Sequence, residues 1–448
     1  LLTEIFNSDE KTPCGEMSHG SVIRRFSQMY SLWVKKISSS KLYPPCKIFI
    51  DIYIADIKGM VMDYFEKKLS YVKENGLYRG DFKYLNTEQA PKVVIENRDI
   101  ILLGSNNYLG LCNDSRLKEA AMEATAKYGV GSGGARLTTG SYELHKKLEE
   151  KIARFKCVES SLIYTTGYMA NTGIISAICD RKWTIFCDKN NHASIVDGAL
   201  LSGARIIRYK HCNMGDLERK VHTNKGDNNL IITDGVFSMD GDVAPLTDIV
   251  GIAKKYGCLT MVDDAHGFGV LGENGSGTVS HFNLNGQIDI QMGTLSKAVA
   301  SVGGYAAGKK GIIDYLKNFS RSFIFSTALP PSTIAVSLKS IEIIENDNDR
   351  RQHLKELSDW FRTELKESGF TVSGELTPII PVITGGADET VELCNNLYAE
   401  GIYVPAIRPP TVPRGTSRLR ISLMATHTRE DLQYVVAMIK KHGKKVHR

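Results

Sequence analysis

From Asp63 onward, short apolar runs alternate with stretches in which apolar residues recur every three or four positions. "YFEKKLSYVKENG" (64–76) has the spacing of an amphipathic helix closed by Gly76. Beyond it, "SSLIYTT" (160–166), "WTIFCD" (183–188), "RIIRY" (205–209), "NLIITD" (229–234), "CLTMVDD" (258–264) and "IDIQMGT" (288–294) read as strands. The windows 142–156, 168–179, 194–202 and 246–257 between them read as helices. Strand–helix alternation at this spacing predicts an α/β fold with a mainly parallel sheet. After Pro330 and Pro331 a long helical stretch runs to about Gly369, and the strand–helix–strand pattern that follows predicts a smaller C-terminal α+β domain.

The first sixty residues break the pattern. "KIFIDIYIADI" (47–57) alternates like a strand without an evident partner, and no secretory signal is recognisable. Residues 1–61 are therefore expected to be an atypical segment, disordered or not native, with a natural start near Met60 or Met62. The organisation expected after it is a helix-and-strand segment over 62–105, a large domain over 106–330 and a small one over 331–448.

Composition excludes several classes. The chain has 448 residues, 42% hydrophobic and 24% charged, which suits a globular protein with a sizeable core. The net charge of +6 gathers at the ends, in residues 1–61 and in "KKHGKKVHR", leaving a nearly neutral body that is not built to bind nucleic acid. No apolar run approaches the length of a membrane span, so no membrane partner is expected. Nine dispersed cysteines without a C-x-x-C pair argue for a reducing, cytoplasmic setting.

In open α/β sheets the ligand lies beyond the carboxyl ends of the strands, and here those ends are polar. "YTTGYMANTG" opens a helix at Gly167-Tyr168, whose free N–H groups suit a phosphate. "DKNNHASIVDG" carries His192, "TDGVFSMDGD" carries Asp234, Ser238 and Asp240, and "VDDAHGFGVLGENG" carries Asp263 and His266. Taken singly, each is more often structural. Two acids and a histidine also admit a divalent metal, but that leaves the last strand end, "GTLSK", without a role. Lys297 there would form a Schiff base with an aldehyde cofactor if burial or nearby positive charge kept its amine neutral. Pyridoxal 5'-phosphate needs a carboxylate at its ring nitrogen, a flat group over the ring, a donor at the phenolic oxygen and a phosphate cradle. Asp263, His192, His266 and Gly167-Tyr168 match those needs in turn, with the Thr294 hydroxyl added to the phosphate site.

Residues 63–445 resemble the α-oxoamine synthases, pyridoxal-phosphate enzymes of the fold-type I class. The resemblance rests on "SNNYLGL" (105–111), "GSGGARLTTG" (131–140), "HASIVDGALLSGA" (192–204), "TDGVFSMDGD" (233–242), "VDDAHGFGVLGENGSG" (262–277) and "GTLSK" (293–297). It implies a seven-stranded-type, mainly parallel sheet between helices and no metal. It also implies a homodimer with active sites at the subunit interface. Lys297 would carry the cofactor and move protons, His192 would stack on its ring, and Asp263 would pair with the ring nitrogen. His266 and Ser238 would lie near the phenolic oxygen, and Gly167, Tyr168 and Thr294 would hold the phosphate. Asn106 would line the substrate site.

The reaction implied is decarboxylative condensation of an amino acid with an acyl thioester, carried by CoA or an acyl carrier protein. "AIRPPTVPRGTSRLRISLMATHT" (406–428) resembles the branch that joins L-alanine to a pimeloyl thioester in biotin biosynthesis. By that resemblance Arg408 would bind the amino-acid carboxylate, Thr411 would touch substrate, and Arg79 in "NGLYR" would belong to the substrate-binding segment. The branch that joins glycine to acetyl-CoA shares several motifs and is the alternative. A catalytically dead subunit would have lost the lysine, which is present here. A metal hydrolase built on Asp263, Asp264 and His266 is the other competing class.

Overall fold

A computed structural model describes residues 61–75, 78 and 82–444. The expectations for residues 1–60 and for Arg79 fall outside these. The chain divides after Phe82 into two units. The described part of the first contains a helix over 61–74, matching the periodicity read there.

The second unit holds thirteen strands: β1 Lys92–Ile95, β2 Arg98–Leu102, β3 Ser160–Tyr164, β4 Trp183–Asp188, β5 Arg205–Tyr209, β6 Asn228–Asp234, β7 Leu259–Asp263, β8 Ile290–Thr294, β9 Gly304–Gly308, β10 Ile379–Gly385, β11 Ile402–Tyr403, β12 Ala406–Ile407 and β13 Ser417–Ser422. Seven of them make one sheet in the order β3-β9-β8-β7-β6-β4-β5. All neighbours in it run parallel except β9, which is antiparallel to both β3 and β8. The near-continuous burial of β4, β6 and β8 is the mark of strands covered on both faces. The covering helices include Glu143–Phe155, Gly167–Ile178, Ala193–Ser202 and Leu246–Tyr256, each within a residue or two of its expected window.

Strand β9 is absent from the sequence reading. "GYAAG" has neither β-branched residues nor alternation, and it forms a strand because β3 and β8 supply hydrogen bonds on both sides. Its glycine is required there: a Cβ on Gly304 would lie 2.6 Å from the Thr166 carbonyl oxygen.

The expected long helix after Pro331 is two, Pro331–Asn346 and Asn348–Glu367, broken at Asp347, whose side chain caps the second. Beyond them β10, β13 and β12 form an antiparallel sheet flanked by helices Ala387–Ala399 and Arg429–His442. One apolar cluster runs from Leu103, Leu148 and Phe268 to Ile379, Leu419 and Leu432, so the large sheet and the C-terminal layer share a continuous core. Among the described residues no helix is long and apolar enough to cross a membrane, and the seven described cysteines are free.

Candidate active site

The parallel register brings the polar strand ends to one edge. Asp234 pairs with Asp263 in the β6–β7 ladder, and Asp263 with Met292 in the β7–β8 ladder. Sequence order runs outward from β4 to β5 on one side and from β6 to β8 on the other, so the topological switch lies between β4 and β6. His192, which follows β4, reaches across that switch: its backbone N–H donates to Asp234 Oδ2 at 2.8 Å. This is where the fold class collects ligands.

Asp263 and Asp264 are adjacent, buried and differently employed. Asp263 accepts from Asn171 Nδ2 at 2.7 Å and from the Ala265 N–H at 3.0 Å. Asn171 also donates to Ser194 Oγ at 2.8 Å, tying the helices that begin at Gly167 and Ala193 to the acid. Sequence reasoning passed over Asn171, since an asparagine within a helix carries no local signal. Asp264 instead meets Lys156 Nζ at 2.6 Å and Thr278 Oγ1 at 2.7 Å. It lies so close beneath Gly277, at φ 107°, that a Cβ there would fall 1.8 Å from Asp264 Oδ2. A metal at Asp263, Asp264 and His266 has no support in this arrangement, because Asp264 is committed to a buried ion pair.

Lys297 follows β8 and its Nζ lies 2.6 Å from His266 Nε2. On the far side of the ring, His266 Nδ1 lies 2.6 Å from the Tyr108 hydroxyl. Burial lowers the lysine's pKa to about 8, against the opposing pull of Asp263; Arg420 adds to the fall and Asp234 opposes it. Burial, with Lys297, Arg420 and His192 adding, holds His266 well below the ordinary imidazole value. Burial and the neighbouring Asp263 charge push Asp234 well above the carboxylate range. His192 caps the helix Ala193–Ser202, with Nδ1 2.7 Å from Ser194 Oγ. Burial lowers its pKa, with Asp263 opposing and Lys297 assisting.

The helix Gly167–Ile178 starts at the turn after β3, where Thr166 accepts from the Met169 N–H. A Cβ on Gly167 would lie 3.1 Å from Thr294 Cβ, so glycine keeps this turn open beside the threonine. Thr294 Oγ1 donates to the Gly303 carbonyl at 2.8 Å and lies 2.8 Å from Ser296 Oγ. Tyr168 is exposed and its hydroxyl donates to Asp197. A helix N-terminus, a hydroxyl and a glycine without side chain meet here with the polarity that suits a phosphate. With a buried, doubly held carboxylate at Asp263 and a neutralisable amine at Lys297, the residues fit pyridoxal phosphate.

On the substrate side, buried Arg420 of β13 reaches into the site. Its Nη2 donates to Asn106 Oδ1 at 3.2 Å, its Nε to the Ser238 carbonyl at 2.5 Å, and its Nη1 to Ser422 Oγ at 2.9 Å. It was not singled out from sequence, although it stands in the "SRLRIS" run; only the pairing of β13 with β10 and β12 aims it inward. Arg408 is half-buried and followed by a cis Pro409–Pro410 bond, and Thr411 is exposed, its N–H donating to the Arg408 carbonyl at 3.1 Å. The structure gathers Asn106, the Ser238 carbonyl, His266 and Lys297 around Arg420, with Asp263 beside Lys297, and leaves Arg408 and Thr411 in the loop between β12 and β13.

A second polar cluster adjoins the site. His211 places Nδ1 2.9 Å from Asp188 and Nε2 2.7 Å from Asp242. Burial opposes its charge, but the two carboxylates prevail and raise its pKa to about 12. It therefore acts as a cationic staple between the loop after β4 and the Ser238–Asp242 loop.

Comparison with known proteins bears on most of the chain. Residues 98–439 match the family model described as aminotransferase class I and II. A relative from Acetivibrio thermocellus is 53% identical over 85% of this chain and 98% of its own length. The 8-amino-7-oxononanoate synthase of Lysinibacillus sphaericus is 48% identical, covering 86% of this chain and 99% of that one. Among solved structures, a serine palmitoyltransferase from S. paucimobilis with bound PLP superposes with a TM-score of 0.81 at 32% identity, covering 86% of this chain and 97% of that one. The 8-amino-7-oxononanoate synthase of Francisella tularensis gives 0.68 at 32% identity, covering 76% and 97%.

Proposed function

Since the chain belongs to the class I and II aminotransferase family, and within it to the α-oxoamine synthases, we propose that it condenses L-alanine with a pimeloyl thioester. The products are 8-amino-7-oxononanoate, carbon dioxide and the free thiol of CoA or of an acyl carrier protein, a step of biotin biosynthesis. Identity of 48% to a synthase of that name over nearly its full length supports the alanine and pimeloyl reading above the glycine and acetyl-CoA alternative.

Bound pyridoxal phosphate supplies an electron sink for the charge left when the amino acid loses its α-proton. The chain's own residues do the rest. Asp263, fixed by Asn171 and the Ala265 N–H, offers its carboxylate to the ring nitrogen. His192 would present a flat ring to the cofactor, and Gly167, Tyr168 and Thr294 would hold its phosphate. Lys297 would carry the cofactor, and its free amine would hold and return the substrate's α-proton; its lowered pKa makes this feasible near neutrality. Arg420, with its fork held by Asn106 and the Ser238 carbonyl, is the group we assign to the amino-acid carboxylate. Arg408 and Thr411, in the loop between β12 and β13, are assigned to the acyl side of the substrate pocket.

The single observation that carries this reading is Lys297, its pKa lowered to about 8, on the strand edge shared with Asp263 and His266. We also assign a homodimer. Leu137, Met169 and Phe325 are exposed, and the Ala135–Thr327 bridge and the Ser326–Met169 contact bring their neighbours together beside the Gly167 turn. This apolar face suits a second copy, and sedimentation velocity tests it. Free thiols fit a cytoplasmic setting.

The functional test is thiol release by the cofactor-loaded enzyme. L-alanine with pimeloyl-CoA or pimeloyl carrier protein is run beside glycine with acetyl-CoA. Faster turnover of the alanine pair is expected; faster turnover of the glycine pair overturns the assignment.

A further inference from the structure

Tyr108 is fully buried; its hydroxyl lies within hydrogen-bond distance of two groups of different capacity, and the Arg420 guanidinium, a donor only, also bears on it. It is 2.6 Å from His266 Nδ1, which changes role with tautomer, and 3.1 Å from Asn106 Oδ1, which only accepts. The opposite ring nitrogen, Nε2, is 2.6 Å from Lys297 Nζ. A phenol has a single hydrogen, and burial raises Tyr108's pKa, so that hydrogen stays on oxygen. These constraints leave one arrangement of the Asn106–Tyr108–His266–Lys297 chain when Lys297 is protonated, and open a second only when its amine is neutral and can accept.

With Lys297 protonated, its ammonium donates to Nε2, the imidazole hydrogen sits on Nδ1 and donates to the Tyr108 oxygen, and Tyr108 donates to Asn106. With Lys297 neutral, the amine can keep donating to Nε2, or Nε2–H can donate to the amine lone pair while Tyr108 turns its hydrogen to Nδ1. Asn106 Oδ1 is not left bare, because Arg420 Nη2 donates to it at 3.2 Å in either state.

We propose that Tyr108 is a positioning residue whose hydroxyl lets His266 exchange tautomers as Lys297 gains and loses its proton. This rests on Lys297 being the reacting amine. The hydroxyl is the joint of the relay: it accepts from Nδ1 in one state and donates to it in the other, so neither state leaves a buried ring nitrogen unpaired. Phenylalanine at 108 keeps the ring and removes the joint. The protonated-lysine state then buries an unpaired Nδ1–H, whereas the neutral state leaves only an unpaired acceptor, the less costly defect. The substitution therefore favours the neutral amine. The charged and titratable groups facing Lys297 from the packed elements are Asp234 of β6, Asp263 of β7, His266 after it, His192 after β4 and Arg420 of β13. All of them remain in the variant.

The test is the pH dependence of Lys297 acylation in the full chain freed of cofactor. A small amine-reactive reagent is used, and the Lys297 peptide is quantified by mass spectrometry. In Tyr108→Phe the half-labelling pH is expected to fall by roughly half a unit to one unit. In a His266→Asn background the same substitution is expected to shift nothing, because Tyr108 acts through the ring. An unchanged or raised midpoint in Tyr108→Phe, or an equal fall in the His266→Asn background, overturns the proposal. If Tyr108→Phe does not fold, Asn106→Ala removes the acceptor at the relay's far end and is expected to lower the midpoint; no fall overturns the proposal. Borohydride reduction with pyridoxal phosphate tests the underlying reading separately. An unmodified Lys297 peptide there removes it as the cofactor-bearing amine, whatever the titration gives.

Discussion

Lys156 and Lys297 each lie near one member of the Asp263–Asp264 pair, and their surroundings give them opposite characters. Lys156, 2% exposed, places Nζ 2.6 Å from Asp264 and 2.5 Å from the Ser276 carbonyl, with the Phe268 ring centroid 5.6 Å away. Its charge is met on the spot. Lys297 has a histidine rather than a carboxylate at 2.6 Å, and Asp263, which would offset its charge, is held by Asn171 and the Ala265 N–H. A buried lysine with a dedicated carboxylate is a structural tie; one whose nearest partner is a neutral ring is left ready to give up its proton. One peptide bond separates the acids that decide between them.

The strongest way to break the comparison is to remove each amine. Lys297→Ala should cut thiol release by about 10³-fold or more while the melting temperature stays near that of the parent. If it lost stability and kept turnover, the two lysines would have been assigned the wrong way round. Lys156→Met should do the reverse, costing about 3–5 kcal/mol by stranding Asp264 in the core. Pairing it with Asp264→Leu should restore much of that loss in chemical denaturation, since the orphaned charge is then gone.

Smaller effects sharpen the picture. Arg420→Lys keeps the charge but loses the fork, and should raise KM for alanine ~10–100-fold, with a lesser effect on the thioester. Arg408→Lys should show the opposite preference; matching alanine KM values in the two variants would return the carboxylate to Arg408. The smallest effect is the titration itself. Lys297 is lowered, so it is charged below its pKa of about 8 and neutral above it. Amine labelling in the cofactor-free chain should therefore rise with pH through a midpoint near that value. At pH 7 roughly a tenth of such an amine is neutral, against roughly 0.03% of an ordinary lysine. A midpoint near the ordinary lysine value would remove the distinction from Lys156.

Much of the site was legible because its residues are punctuation between elements. Lys297, Asp263, His192 and Gly167 stand where an apolar run stops, and in a parallel sheet those stops share one edge, so reading strand ends amounts to reading a site. The residues that were missed lie inside elements. Asn171 is within a helix, Arg420 within a strand and Lys156 at the end of an amphipathic helix, and none interrupts a pattern. Strand β9 was missed for the complementary reason: its small residues carry no strand signal, and both of its partners lie earlier in the chain, β8 ten or more residues back and β3 far beyond that.

The amino-acid sequence by itself determined the fold class, the cofactor chemistry and the strand-end set, because periodicity and chain punctuation are local properties. Tertiary structure alone decided which acid each lysine meets, which arginine lies beside Asn106 and Lys297, and what holds His266. Asp263 and Asp264 are equivalent as letters. The partners that distinguish them, Asn171 and Lys156, lie about a hundred residues away and are delivered by helices packed against the sheet. Hydrogen-bond partnership at that separation depends on register and packing, which a local pattern does not encode.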